Sequence, residues 1–367
     1  MVEWLFTARK PAPVVFGTGL IALDVVFGRD NIRRVWAGGS CGNVLTILRY
    51  LGWQSYPIAN LKNDEAARII CDDLSYWGVN TDLVVCSENG RTPIIVEKIG
   101  NNGGHKFMFK CPYSGLSLPK YKPIDVKHAK NVISQMGDKP SVFYFDRVSK
   151  ATIELAKEFT KRGAVIVFEP STIKNKKLFQ EALGLCHILK YSSQQLSKLR
   201  KIGSRPIPIL EIETLGSKGL RYRVKIDSKS SEWKFMESYK LGPIKDTAGA
   251  GDWCTAGILQ TLCQNGMVGF RELLTSQYLE FGLKFGQALA AFNCMFEGAR
   301  GSMYFVSKDY LLDIIHKIMA DGTSNAPRSS LEYFIDYFRK NENKVGKFVL
   351  NENYKDLLVL ASPWQDL

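Results

Sequence analysis

The run DTAGAGDWCTAG, residues 246–257, sets Gly249, Ala250 and Gly251 directly before Asp252 and leads into an apolar helical stretch. Small residues let backbone N–H groups approach an anion closely, and a helix N-terminus adds partial positive charge. A carboxylate at that point can take a proton from an attacking hydroxyl. The run therefore predicts a phosphoryl-transfer loop, and with it a strand-and-helix scaffold able to present a loop of this kind.

Upstream, residues 14–19 (VVFGTG) form an apolar run ending in glycines, the pattern of a buried strand opening into a loop. Residues 23–27 and 33–36 are extended in pattern, and residues 42–51 have helical apolar spacing through Val44, Leu45, Leu48 and Leu51. A hairpin is predicted over 92–110, with a glycine- and asparagine-rich turn at 100–104. These extended pieces, 24–37 and 92–110, are expected to build a small β-lid. From residue 141 the pattern alternates: strand 141–145, helix 151–162, strand 164–168, a helix near 194–200 and strand 207–213. Alternation of this kind predicts an α/β fold with a mainly parallel central sheet flanked by helices on both faces. Ligands of such sheets bind beyond the carboxyl ends of the strands, where Asp146, Arg147, Glu169 and the segment 214–219 fall. The expected organisation is one domain over 1–320, with a polar linker and a C-terminal extension over 321–367.

The composition narrows the class. An apolar content of 45% supports a packed core. No stretch reaches the roughly 20 apolar residues of a membrane span, and the first ten residues lack a secretory pattern, so a cytoplasmic protein is expected. The eight cysteines include no C-x-x-C pair, which fits reduced thiols. His105 and Cys111 make only half of a metal site. A net charge of +13 is spread along the chain, which favours a solvated basic surface over nucleic-acid binding and suits an anionic substrate.

Two other phosphate-binding motifs are excluded. Residues 17–22 match G-x-G-x-x-A, but the sequence then turns extended, whereas a dinucleotide fingerprint opens a helix. No G-x-x-x-x-G-K-[ST] occurs. Gly38, Gly39 and Asn43 precede or open a helix, pairing flexible backbone with a side-chain amide suited to a polyhydroxylated ligand; Asn43 is equally a candidate helix cap.

Together these segments resemble the ribokinase-like, PfkB-type family of carbohydrate kinases, in order over residues 14–318. The resemblance rests on residues 19–24, on Gly38, Gly39 and Asn43, on the segment TLGSKG (214–219), on DTAGAGD (246–252) and on residues 285–299 ending in EGA. It implies that Asp252 is the catalytic base, with Gly249, Ala250 and Gly251 as the anion hole. It further implies that Asp24, Gly39, Asn43 and Asp146 hold acceptor hydroxyls, with Arg147 beside them. Thr214, Gly216, Ser217, Gly219 and Gln287 would line the nucleotide pocket, and Asp246 and the Ala248 carbonyl would lie at a monovalent-cation site. The implied activity is ATP-dependent phosphorylation of a sugar or sugar derivative, with ATP and Mg²⁺, a place for K⁺, and a homodimer formed through the β-lid. A nucleoside kinase of the same fold and a non-catalytic relative are the alternatives.

The resemblance departs at one place. Where the family carries N-x-x-E, associated with magnesium and phosphate, this chain has Ser192 and Gln195. The lost negative charge leaves Glu169 or Glu211 as candidates to compensate.

Overall fold

Alternate residues along each central strand face opposite cores, and this period-2 pattern explains why helices cover both sides of the sheet. The computed structural model describes residues 11–27, 33–100, 105–112, 114–137, 139–171, 173, 175–195, 205–226 and 229–321. Strand β1 (Val14–Thr18) turns Val15 to one core and Val14 and Phe16 to the other. Strands β8 (Val142–Phe145) and β9 (Val165–Phe168) divide in the same way, with Tyr144 and Val167 on the first side and Phe145 and Phe168 on the second. The second side is closed by helices α3 (Val126–Gln135), α4 (Lys150–Lys161) and α5 (Lys176–Leu185). Its aromatic residues pack in register, with Phe143 stacked on Phe159 at 4.5 Å and Phe145 on Phe168 at 4.6 Å between centroids.

The first side is closed by α1 (Ser40–Tyr50), α2 (Glu65–Tyr76) and the C-terminal helices Ala250–Leu262, Ser276–Asn293 and Lys308–Asp321. Gly257 and Gly286 let two of these helices touch: a Cβ on Gly286 would lie 2.5 Å from the Cys254 carbonyl.

Among the described residues the main sheet has ten strands, and its central order runs β11 (Leu210–Thr214), β10 (Ile188–Ser192), β9, β8, β1, β4 (Gln54–Lys62), β5 (Val84–Ser87), all parallel. An antiparallel strand, β12 (Leu220–Ile226), flanks β11. The predicted extended interruptions come together in a separate four-stranded sheet, ordered β3 (Arg33–Gly38), β2 (Ala22–Phe27), β6 (Ile94–Ile99), β7 (His105–Met108). Its edge strand β7 carries Phe107, 46% exposed, with Phe109 just beyond it.

The alternation is denser than the sequence pattern indicates, because α5 intervenes between β9 and β10. Most of the helix placed near 194–200, and all of 322–367, lie outside the described residues. The helix ending at Asp321 reaches the start of the segment read as a linker.

Candidate active site

The parallel strands bring the chain segments of the site to one edge. Thr18 pairs with Phe145, Phe145 with Phe168, and Ser192 with Thr214, so the residues just after them emerge side by side. Helix starts separate into two kinds around this edge. Helices α2, α3, α4 and α5 are capped by Asp64, Asp125, Ser149 and Asn175, each accepting a backbone N–H. By contrast, α1 and the helix Ala250–Leu262 begin at glycines, Gly39 and Gly249, with no side-chain cap from the described residues. In α1 the Leu20 carbonyl takes the N–H groups of Cys41 and Gly42, at 3.1 and 3.2 Å, whereas in the first turn of Ala250–Leu262 the Ala250 N–H has only a long 3.4 Å contact to Thr247 O, so it is this second helix start that offers N–H groups to an anion.

Gly249 adopts φ 71°, and a Cβ there would lie 2.0 Å from the Ala299 carbonyl oxygen. Only glycine meets both demands, the left-handed backbone and the close approach. Asp252 follows in the first turn, 9% exposed, and its Oδ2 accepts from Asn43 Nδ2 at 2.8 Å. Burial, reinforced by the Glu169 charge, pushes its carboxyl up to about 8, while the Asn43 hydrogen bond and Lys190 act in the opposite direction.

Behind the loop lies an ion pair between a buried lysine and a half-buried glutamate. Lys190 Nζ, on β10, donates to Glu169 Oε1 at 2.6 Å and to the Gly251 carbonyl at 3.0 Å. Glu169 Oε2 accepts from Thr255 Oγ1 at 2.8 Å and from the Tyr144 hydroxyl at 3.3 Å. Lys190 thus holds the carbonyl of the peptide whose other end is the Asp252 N–H. Sequence reasoning missed this lysine; the available signal was one cation in an otherwise apolar strand, two residues before Ser192.

On the acceptor side, Asp24 lies on β2 and Asn43 in the first turn of α1, both buried. Asn43 is not a cap, since the helix starts at Gly39. Asp24 Oδ1 and Asn43 Oδ1 are buried without a hydrogen-bond partner among the described residues, and such acceptors call for donors from a ligand. Burial pushes the Asp24 carboxyl up to about 7, opposed by the Gly39 N–H and Arg300. Gly39 has φ 79°, and a Cβ there would meet the Leu20 carbonyl at 2.5 Å. Asp146 accepts from Leu20 N at 2.8 Å and from Arg147 Nη1 at 2.7 Å, so Arg147 is engaged with its neighbour. Burial raises the Asp146 carboxyl, and Arg147 counteracts it. A cavity beside these residues is lined by Thr18, Gly19, Arg91, Tyr121 and Lys122.

The nucleotide candidates lie past β11. Thr214 ends the strand, Gly216 and Ser217 enter a short 3₁₀ turn, and Gly219, at φ 114°, closes against the Met236 carbonyl. Ser217 O accepts from Ser238 Oγ at 2.6 Å, and Gln287 Nε2 donates to Glu237 O at 3.1 Å. Neither glutamate considered as a replacement for the missing acidic residue is disengaged. Glu169 is paired with Lys190, and Glu211 with Tyr191, Arg205 and Arg223. Asp246 Oδ1 accepts from Ala248 N and Oδ2 from Gly298 N, both at 2.9 Å.

The family model for pfkB family carbohydrate kinases matches residues 33–304. An uncharacterized sugar kinase from Pyrococcus horikoshii is 26% identical over 273 residues, covering 71% of this chain and 82% of its own. Its crystal structure aligns with TM-score 0.62 at 20% identity, over 82% of this chain and 97% of that one. "Probable fructokinase-6, chloroplastic" of Arabidopsis thaliana is 24% identical over 329 residues, covering 80% of each chain. A Xylella fastidiosa fructokinase with bound ATP aligns with TM-score 0.64 at 16% identity, over 83% of this chain and 98% of that one.

Proposed function

We propose that this chain, which belongs to the pfkB family of carbohydrate kinases, transfers the γ-phosphoryl group of ATP to a hydroxyl of a small sugar or sugar derivative. The observation that carries the reading is the Asp252 carboxylate, buried against Asn43 in the first turn of an uncapped helix behind Gly249. The orphaned oxygens of Asp24 and Asn43 support a polyhydroxylated acceptor, which supplies O–H donors to both. Gly39, Asp146 and Arg147 complete that side, with Arg147 holding Asp146 in place.

Asp252 accepts the proton of the acceptor hydroxyl as its oxygen bonds to the γ-phosphorus. The bond to the bridging oxygen of ADP breaks in line. Charge on the transferring group is met by the N–H groups of the 249–252 loop, which are fixed before the reaction begins and so favour the transition state. Thr214, Gly216, Ser217 and Gly219 flank the nucleotide, with Gln287 fixing the neighbouring 237 backbone. Mg²⁺ with the ATP phosphates would supply charge neutralisation, to which the neutral Ser192 and Gln195 would add no carboxylate.

The test is ADP release from ATP and Mg²⁺ across sugars, sugar phosphates and nucleosides, with Asp252→Ala in parallel. Acceptor-dependent turnover confined to sugars and lost in the variant supports the reading. Turnover only with nucleosides, or equal turnover in the variant, would overturn it.

A second expectation concerns the ion pair of Lys190 and Glu169. Lys190→Met removes the charge that lowers the Asp252 proton affinity, so the acid limb of the kcat profile moves to higher pH; Glu169→Gln moves it to lower pH. A shift of one unit costs Lys190→Met about tenfold in rate on the acid side. Identical limbs in all three proteins would exclude this coupling.

A further inference from the structure

One side chain ties the anion loop to the turn at 298–302. Asn293 ends the helix Ser276–Asn293 and is fully buried. Its Nδ2 faces three backbone carbonyls: Ala299 at 3.2 Å, Ala248 at 3.5 Å and Gly298 at 3.5 Å. The first is an ordinary hydrogen bond, and the other two are at the long limit, as two N–H groups shared among three acceptors require. Its Oδ1 accepts from Ser302 N at 3.1 Å and Ser302 Oγ at 2.9 Å. The Asp246 carboxylate bridges the same two segments through Ala248 N and Gly298 N.

Converging carbonyls with a hydroxyl and a carboxylate nearby are the oxygen donors a hard cation uses. Asp246 and the Ala248 carbonyl are also the pair expected to hold a monovalent cation. The residues present do not fit one. The point toward which the three carbonyls converge is taken by an amide nitrogen, whose hydrogens carry positive partial charge and repel a cation there. Both Asp246 oxygens already accept backbone N–H groups.

We infer that the Asn293 amide stands in for a monovalent cation, cross-linking the 246–252 loop to the 298–302 turn so that the loop is organised without potassium. Asn293 is on this view a positioning residue. That the loop it organises transfers phosphate rests on the proposed function; the exclusion of the cation does not.

The test is the melting midpoint of the full chain in potassium chloride against tetramethylammonium chloride at constant ionic strength, for wild type and Asn293→Asp. Wild type is expected to melt at the same temperature in both salts, to within about 1 °C. Asn293→Asp keeps the shape, removes the two donors and adds charge, so it melts lower in tetramethylammonium and regains about 2–4 °C in potassium. A potassium-specific rise in wild type would overturn the inference, as would a folded Asn293→Asp with no potassium response. The wild-type comparison decides even where the variant does not fold. Because melting is read without turnover, silence on every acceptor would count against the proposed kinase activity and leave this result standing.

Discussion

Asp252→Asn is expected to lower kcat by about 10³-fold while the fold and nucleotide binding persist, the loss characteristic of a removed general base. The amide keeps the shape and can still meet Asn43, so a structural role alone predicts little change. Wild-type kcat/KM should rise with pH toward a plateau above about 8, because the base must be ionised and burial holds its proton to that point. The same burial gives a signature in stability. In the unfolded chain an aspartate at 3.8 is ionised from about pH 4 upward, whereas the folded chain keeps the proton to about 8, so Asp252 lowers stability progressively across that window. Asp252→Asn cannot ionise, and its melting temperature relative to wild type should climb between those limits and level off above. A variant that retains more than about a tenth of the turnover would remove Asp252 from the role of base.

Gly249→Ala has the next largest expected effect, through geometry. The added methyl would occupy a backbone at φ 71° and lie 2.0 Å from the Ala299 carbonyl, where only backbone can give way. A non-glycine residue in this conformation costs about 1–3 kcal/mol before any clash. The melting temperature should fall, and kcat with it by about 10²–10³-fold as the anion-binding N–H groups are displaced. Gly251→Ala is the control for folding, since its methyl would meet only Glu169 Oε1 and Lys190 Nζ, each at 3.7 Å. Equal melting temperatures for Gly249→Ala and Gly251→Ala would refute the steric account.

What could be read from the sequence was what local pattern encodes. Gly249 announces a tight loop because other residues adopt its left-handed backbone only at a cost. The apolar runs at 14–16 and 142–145 announce buried strands because both faces of a parallel sheet are covered. Helix α5 escaped notice because its buried stripe is only Phe179, Ala182 and Leu183 within a lysine-rich segment. Lys190, Glu169 and Asn293 were not legible as a group. They approach the loop from β10, from the end of β9 and from a helix end, and their pairing depends on strand register and helix packing that no short window contains. Asn43 was legible as a polar residue facing the site, while its bond to Asp252, 209 positions away, was not.

On its first pass into the small four-stranded sheet the chain turns at two glycines, Gly19 leaving β1 and Gly39 entering α1, both with positive φ; β6 and β7 connect that sheet to the main body a second time. Asp24 belongs to the small sheet, whereas Asn43, Asp146 and Asp252 belong to the main body. The two share one core, through Leu23, Val35 and Ile94, so under the proposed roles the sugar would have to reach from Asp24 to Asn43 and Asp252 across a fixed span, which a water molecule does not match. Fidelity of transfer then comes from the reach of the correct acceptor, and a shorter polyol would be discriminated against by the gap it leaves even where every one of its hydroxyls finds a partner.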